Sequence, residues 1–157
     1  MIRSATPDDA PALATLWNRV IRDTTTIFNA TERSEAEVAQ LITAGDPFLV
    51  WDEGRGARGL ARWFPFRGTD GYRHTVEHTI LLGEDLHGRG VGRAMMAQLF
   101  ETARAADKHV MVACVTAENR AGLAFHERLG FERTGLMPEV GRKFGRWLDL
   151  AILQKRL

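Results

Sequence analysis

A glycine-rich segment near the middle of the chain constrains the fold more than any other feature. Residues 86–96 read LHGRGVGRAMM, with glycine at every second position from 88 to 92. After these glycines, apolar residues recur at three- and four-residue spacing over residues 91–106, which is typical of an amphipathic helix. The segment therefore predicts a turn running into a helix N-terminus, where backbone N–H groups converge and bind an anion such as pyrophosphate.

The flanking residues extend this segment into a chain of strands and helices. A strand, helix, strand order around the glycines is typical of a parallel crossover unit. Apolar periodicity, capping residues and turn signals predict the other elements. The predicted helices cover residues 6–21, 34 to about 45, 91–106 and 119–129, and the predicted strands cover residues 48–51, 59–64, 75–82, 109–115, 131–134 and 147–153.

Length and charge limit the class of protein. A chain of 157 residues without a linker or repeat predicts one domain over residues 1–157, since single domains typically hold about 100–150 residues. The net charge of +1 gives no general attraction to nucleic acid or to an anionic membrane. The first residues lack the apolar region of a signal peptide, and no apolar run is long enough to span a bilayer. We therefore expect a cytoplasmic protein that binds a small molecule, with neither nucleic acid nor membrane as partner.

The cysteine and histidine content argues against a disulfide or a metal site. Cys114 is the single cysteine, and the five histidines lack the close paired spacing of structural zinc ligands. Cys114 lies in the apolar run HVMVACV, so a buried core residue is favoured over a catalytic thiol. We expect no metal.

Three known phosphate-binding loops use glycines in this way, and two of them do not fit. A dinucleotide-binding loop needs an acidic residue about 20 residues further on, where this chain has Val112. A P-loop needs Gly-Lys-Ser or Gly-Lys-Thr, which does not occur. The pyrophosphate of coenzyme A remains as the ligand.

The whole chain resembles the GCN5-related N-acetyltransferase (GNAT) superfamily. The superfamily signature of Gln or Arg, two residues, Gly, one residue, then Gly or Ala is matched from His87 through Gly90 to Gly92, with histidine in the first position. Residues 119–131, NRAGLAFHERLGF, resemble the second coenzyme motif. The segments GYRHTVEHTILL, HVMVACV and VGRKFGRWLDL resemble the branch that contains phosphinothricin and methionine sulfone or sulfoximine acetyltransferases.

The resemblance implies an α/β GNAT fold, with a mixed, mostly antiparallel central sheet and helices on both faces. It also implies acetyl-coenzyme A (acetyl-CoA) as co-substrate and a homodimer. Asn119 would contact the coenzyme, although an asparagine there also fits a simple helix N-cap. The backbone of the preceding strand would line the pantetheine arm at Ile80, Leu81 and Leu82, and the pyrophosphate would lie against His87, Gly88, Arg89, Gly90, Val91, Gly92 and Arg93.

Acetyl transfer to an amine needs a base for the ammonium proton, a donor to the oxyanion and a proton for the leaving thiolate. Glu77 falls where the branch places its catalytic glutamate, so we expect it to be the general base; spacing alone also fits a solvated charge or a partner of Arg73. The backbone N–H of Leu81 or Leu82 is the candidate oxyanion donor. His126 occupies the position of the tyrosine that many members of the superfamily use as general acid. It fits either an imidazolium that serves as the acid or a histidine without a chemical role. His74 and His78 are expected to point away from Glu77 and are given no role.

An amino-acid acceptor needs a cation for its carboxylate, and a forked guanidinium suits it. Arg73 and Arg146 are the candidates, although an arginine is more often a surface charge. Phe28 is a candidate wall of the acceptor pocket, and Trp63 is a second aromatic residue considered for it.

The sequence thus predicts an N-acetyltransferase that moves the acetyl group of acetyl-CoA by direct attack to the α-amine of phosphinothricin, methionine sulfone or methionine sulfoximine. Two alternatives stay open. One is an acetyltransferase acting on a protein N-terminus or lysine, and the other is a non-catalytic sensor of acyl-coenzyme A.

Overall fold

The computed structural model describes all residues from 1 to 157 and contains seven strands and four α-helices. The helices are α1 (Ala10–Asp23), α2 (Glu35–Thr43), α3 (Val91–Ala105) and α4 (Arg120–Arg128). The strands are β1 (Ile2–Ser4), β2 (Phe48–Asp52), β3 (Ala57–Pro65), β4 (Thr75–Leu82), β5 (Val110–Thr116), β6 (Glu132–Lys143) and β7 (Arg146–Arg156). No helix has the length and apolar character needed to cross a membrane.

The strands form one sheet in the order β1-β2-β3-β4-β5-β7-β6. Only β4 and β5 run parallel, as the crossover through α3 requires, and the other neighbours are antiparallel. Buried residues of α1 and α2 pack on one face of the sheet, and those of α3 and α4 pack on the other. The predicted fold class, a mixed and mostly antiparallel sheet with helices on both faces, is confirmed.

The last two strands are much longer than the sequence predicts. Residues 135–146 read as a loop because they contain glycines and a proline, yet most of them belong to β6 and its hairpin with β7. The pairing of β6 with β7 shifts register between Met137 and Gly141. Because β6 is an edge strand, a bulge that holds Pro138 interrupts few hydrogen bonds. The short strand β1 also went unpredicted.

The sheet divides between β4 and β5. These two strands pair only from Thr75 opposite Val110 to Glu77 opposite Val112. Beyond that point β4 continues to Leu82 along β3, while β5 continues to Thr116 along β7. The β5-facing edge of residues 78–82 is therefore left without a strand partner, and a cleft opens in the middle of the sheet.

Candidate active site

The split between β4 and β5 opens into a cavity of about 1150 Å³. Its walls come from β4 and β5, the glycine segment before α3, the first residues of α4, and α1 with the segment that follows it. The cavity therefore connects both faces of the sheet through the split.

The glycine segment forms one end of this cavity. Gly88 and Gly90 have φ angles of +72° and +78°, a left-handed conformation that glycine adopts without strain. Gly90 is the N-cap of α3, and no group in the chain accepts a hydrogen bond from the N–H of Gly90, Val91, Gly92 or Arg93. An ideal Cβ on Gly88 or Gly90 would meet no atom within 4 Å, so the space beside them is open. The segment fits a pyrophosphate held by backbone N–H groups at a helix N-terminus.

Gly92 has a different role from the other two glycines. A Cβ at this position would lie 3.1 Å from the ring of Phe125 on α4 and 3.2 Å from the side chain of Leu82 on β4. A Cβ at Gly92 would therefore force the Phe125 and Leu82 side chains to shift by a few tenths of an ångström. This glycine lets the helix approach the split closely.

Most of the other expected coenzyme residues also line the cavity, among them Ile80, Leu81, Leu82, His87 and Asn119. The side chain of Asn119 accepts a hydrogen bond from the Gly122 N–H at 2.9 Å and so caps α4. Two side chains lie elsewhere. The guanidinium of Arg89 donates to the Glu53 carboxylate at 2.6 Å, and the side chain of Val91 is buried in the core. At these two positions only the backbone N–H is available to an anion bound at the glycine segment.

Glu77 lies at the last residue pair before the split and lines the cavity. It is half-buried, on the sheet face that carries α1 and α2. Burial raises the pKa of its carboxyl above the ordinary value, partly offset by the neighbouring Cys114 thiol. Glu77 forms no ion pair with Arg73 or any other cation. The alternative of a paired or fully solvated charge does not fit this placement.

Cys114 lines the cavity too and is only partly buried, so it is not the closed core residue that the sequence favoured. Burial raises the pKa of its thiol to about 12. The group therefore stays protonated at neutral pH, which does not suit a nucleophile.

His126 lies on the opposite sheet face, where it is 6% exposed. Its Nδ1 lies 2.7 Å from the Gly122 carbonyl oxygen, its buried Nε2 has no partner, and its ring lies 5.1 Å from that of His78. Burial lowers the pKa of His126 below the usual value, so the expected imidazolium is not favoured at neutral pH. His78 faces away from Glu77, as expected, and burial with the nearby His126 lowers its pKa to about 3.

The two arginines expected to bind the acceptor carboxylate do not line the cavity. Arg73 lies before β4, at the opposite end from the split, where its Nε lies 2.8 Å from the His74 ring. Arg146 is already paired, because both of its terminal nitrogens donate to the Glu118 carboxylate at 2.7 and 2.8 Å. Neither guanidinium is free in the cavity, and both placements correct the sequence interpretation.

Phe28 does line the cavity and packs against Gly141 of β6, where any Cβ would collide with its ring. Trp63 instead lies in the core below α3 and donates to the Thr102 hydroxyl at 3.0 Å. The sequence interpretation missed the residues of α1 and the following segment on this side. Their only signal was the polar stretch at residues 24–33. The missed lining residues include Trp17, Thr24, Thr26, Asn29 and Arg33.

Comparison with known proteins agrees with this geometry. Residues 14–131 match the model of the acetyltransferase (GNAT) family. The chain is 41% identical to the L-amino acid N-acyltransferase MnaT of Escherichia coli, over 99% of this chain and 93% of the relative. It is 40% identical to the L-methionine sulfoximine/L-methionine sulfone acetyltransferase of Pseudomonas paraeruginosa (99% and 94%), and 30% identical to the phosphinothricin N-acetyltransferase of Alcaligenes faecalis (99% and 82%).

Two solved structures are similar over the full chain. The structure of yncA from Salmonella typhimurium with acetyl-CoA superimposes with a TM-score of 0.95 at 37% identity, covering 100% of this chain and 93% of that one. The ribosomal-protein-alanine N-acetyltransferase of Brucella melitensis gives a TM-score of 0.95 at 38% identity, covering 100% and 99%.

Proposed function

Because the chain belongs to the acetyltransferase (GNAT) family, we propose that it transfers the acetyl group of acetyl-CoA to the α-amine of a small amino-acid-like acceptor. Methionine sulfone, methionine sulfoximine and phosphinothricin are the lead acceptors, because relatives at 30–40% identity are named for them. The observation that carries the proposal is a single cavity that holds the glycine segment, the split strand β4 and Glu77.

Glu77 is the general base of this proposal. It lies where β4 and β5 part, so an amine that reaches the split from the α1 side meets its carboxylate directly or through one water. Its raised pKa makes it a stronger proton acceptor than an ordinary glutamate. Glu77 takes one proton from the ammonium group and releases it to solvent, and the neutral amine then attacks the thioester carbonyl.

The oxyanion that forms during attack needs a donor within the split. Residues 78–82 have no partner on the side facing β5, so backbone N–H groups directed into the cleft are free to donate. Of the two candidates, Leu81 belongs to the residues whose backbone groups bond to β3, whereas Leu82 faces the cleft, so we assign this role to the N–H of Leu82. Because the strand already fixes this N–H group, little reorganisation free energy is needed when the oxyanion forms.

His126 enters the mechanism in a changed form. With a proton on Nδ1, its neutral ring presents an acceptor at Nε2 in the resting protein. It therefore protonates the departing thiolate only after Nε2 has taken a proton within the same cycle. In this proposal Nε2 of His126 takes the second proton, which the nitrogen loses after the C–N bond has formed, and delivers it to the sulfur as the C–S bond breaks.

The assembly in this proposal is a homodimer built on β6 and β7. The hairpin exposes a group of large apolar side chains at the edge of the sheet, and an edge strand of this kind is a natural pairing surface. The exposed residues are Leu136, Met137, Val140, Phe144 and Trp147. We also place the protein in the cytoplasm, where acetyl-CoA is supplied.

A protein N-terminus is the second candidate acceptor, because a similar structure carries the name ribosomal-protein-alanine N-acetyltransferase. One assay of coenzyme A release separates the acceptors. The panel contains methionine sulfone, methionine sulfoximine, phosphinothricin, ordinary amino acids and peptides with free N-termini. We expect the highest kcat/KM for the first three. Release with peptides alone would move the assignment to a protein acceptor, and no release with any amine would favour a sensor.

A further inference from the structure

Arg33 is held rigidly at the wall of the cavity on the α1 side. The side chain of Asn18 on α1 accepts from the Arg33 N–H at 2.8 Å and donates to the Arg33 carbonyl oxygen at 2.8 Å. The guanidinium carbon lies 4.7 Å from the centre of the Trp17 ring. Two neighbouring residues of one helix therefore fix both the backbone and the charged group of Arg33.

The guanidinium of Arg33 has no partner in direct contact, although the Glu37 carboxylate lies close enough to interact with its charge. The Arg33 guanidinium forms no ion pair and no hydrogen bond, and its Nε is shielded from solvent without an acceptor. A shielded cation without a partner costs free energy, and the stacking on Trp17 offsets only part of that cost. An anion that arrives at this wall would remove the cost.

The other charged groups of the cavity are accounted for. The carboxylate of Glu84 is paired with Arg19 at 2.7 Å, and that of Asp23 lies 3.4 Å from Arg22. Glu77 is the proposed base. Arg93, the remaining unpaired guanidinium, belongs to the glycine segment at the coenzyme end. Arg33 is the one fixed charge of the cavity without a role.

A second buried cation strengthens the positive potential at this wall. Arg62 on β3 is 8% exposed and forms no ion pair, and its guanidinium stacks on the rings of Phe48 and Phe64. Burial lowers its pKa; the Asp46 carboxylate opposes this shift, and the neighbouring Arg33 adds to it. Two guanidinium groups thus act on the same side of the sheet. Neither forms an ion pair, and the carboxylates of Asp46 and Glu37 act on Arg62 and Arg33 only through space.

We propose that Arg33 binds an anionic group of the acceptor, a carboxylate or a phosphinate, and so selects amino-acid-like amines over amines that lack an anionic group. This inference rests on the proposed function. The guanidinium carbon lies over the Trp17 ring, and none of the guanidinium N–H groups has an acceptor in the chain, so they remain available to the two oxygens of a carboxylate or phosphinate. Arg33 thereby fixes one end of the acceptor while the amine lies at Glu77.

The test compares acceptors with and without the charge. Methionine sulfone, its carboxamide and phosphinothricin are assayed with the wild type, Arg33→Gln and Arg33→Lys. Arg55→Gln is the matched control, because Arg55 lies in the exposed turn between β2 and β3 and has no partner. Thermal unfolding and acetyl-CoA binding are measured for every variant, so that a folding defect in one Arg33 variant is recognised and the other is used.

We expect Arg33→Gln to raise the KM for methionine sulfone by about 10- to 100-fold, as loss of a charge-assisted hydrogen bond predicts, with acetyl-CoA affinity unchanged. The carboxamide should be acetylated about equally by the variant and the wild type, and Arg33→Lys should recover part of the affinity. If only phosphinothricin loses affinity, Arg33 contacts the phosphinate rather than the α-carboxylate.

Two results would overturn the inference alone. One is an active wild type with Arg33→Gln indistinguishable from Arg55→Gln, and the other is an equal loss for methionine sulfone and its carboxamide. A wild type that acetylates none of the amino-acid acceptors would instead overturn the proposed function, and the inference with it.

Discussion

The Nδ1 atom of His126 lies 2.7 Å from the carbonyl oxygen of Gly122, one turn earlier on α4. A carbonyl oxygen only accepts, so Nδ1 carries the proton and the buried Nε2 does not. We expect the imidazole to remain neutral at pH 7, because burial lowers its pKa below 6.5. Nitrogen-15 NMR of labelled histidine tests this expectation, and an imidazolium signal at pH 7 would contradict it. Replacement by Gln should lower kcat by about 10²-fold without weakening acetyl-CoA binding, as loss of a proton relay predicts.

The substitution Glu77→Gln removes the proposed base while keeping the shape of the side chain. We expect turnover to fall by about 10²- to 10⁴-fold with acetyl-CoA affinity intact. The base works when ionised, and burial raises its pKa, so the acid limb of the kcat/KM profile should lie above the ordinary glutamate value of 4.5. Steady-state rates across pH and calorimetric binding measure both effects. Wild-type turnover in the variant would remove Glu77 from the mechanism.

The buried ring of His78 should make the protein sensitive to mild acid. Its pKa is about 3 in the folded protein and 6.5 as the ordinary value, so below pH 6.5 the unfolded chain binds the extra proton. The free energy of unfolding therefore falls as pH falls, by about 2 kcal/mol from this group between pH 6.5 and 5.

Urea unfolding of the wild type and of His78→Phe at pH 7.5 and 5 isolates this contribution. The variant should lose less stability on acidification than the wild type. His109→Gln serves as the control, because the side chain of His109 is exposed. An equal loss in the wild type and in His78→Phe would show that His78 is not the sensitive group.

The same substitution, glycine to valine, can be compared at Gly90 and at Gly54, where the backbone strain is similar. Gly90 and Gly54 have φ angles of +78° and +83°, and neither has an atom within 4 Å of an ideal Cβ. Each Gly→Val change should cost about 1–2 kcal/mol of stability. Only Gly90→Val should also raise the Kd for acetyl-CoA, by about 10-fold or more, because its side chain enters the space beside the free N–H groups. Equal affinities in the two variants would refute the glycine segment as the pyrophosphate site.

The exposed hairpin of β6 and β7 should mediate dimer formation. Leu136 is 56% exposed on the edge strand, and a carboxylate there would have to be desolvated in an interface. We expect Leu136→Glu to shift the protein from dimer to monomer in sedimentation velocity. Tyr72→Glu, at a residue that is 44% exposed outside this hairpin, should leave the dimer unchanged. A monomeric wild type would rule out the proposed assembly.

The secondary structure was predicted best where a local pattern of residues is enough to determine the element. The apolar repeat of α3, the glycines before it and the buried run of β5 are local patterns, and the structure places them as expected. The hairpin of β6 and β7 was underestimated because Pro138 and Gly141 are typical of loops. An edge strand tolerates both, since a bulge there disturbs few neighbours.

The acceptor side of the site was harder to predict because tertiary contacts assemble it. Arg73 lies four residues from Glu77 in sequence, yet it precedes β4 and lies outside the cavity. Its guanidinium contacts the His74 ring, and its carbonyl oxygen accepts from Lys108. Arg33 is 44 positions from Glu77, and its placement depends on Asn18 and Trp17. Sequence distance along a strand therefore misled the choice of arginine, and only the packing of α1 shows the alternative.

The split between β4 and β5 also gives the molecule its mechanical character. The seam that joins β1–β4 to β5–β7 within the sheet is only three residue pairs long, from Thr75 to Glu77. Under the proposed function, the pantetheine arm lies between β4 and β5, and it contributes contacts that elsewhere in the sheet come from a neighbouring strand. The bound co-substrate then also holds the two parts of the sheet together. Each catalytic cycle removes and restores contacts that position the reacting groups.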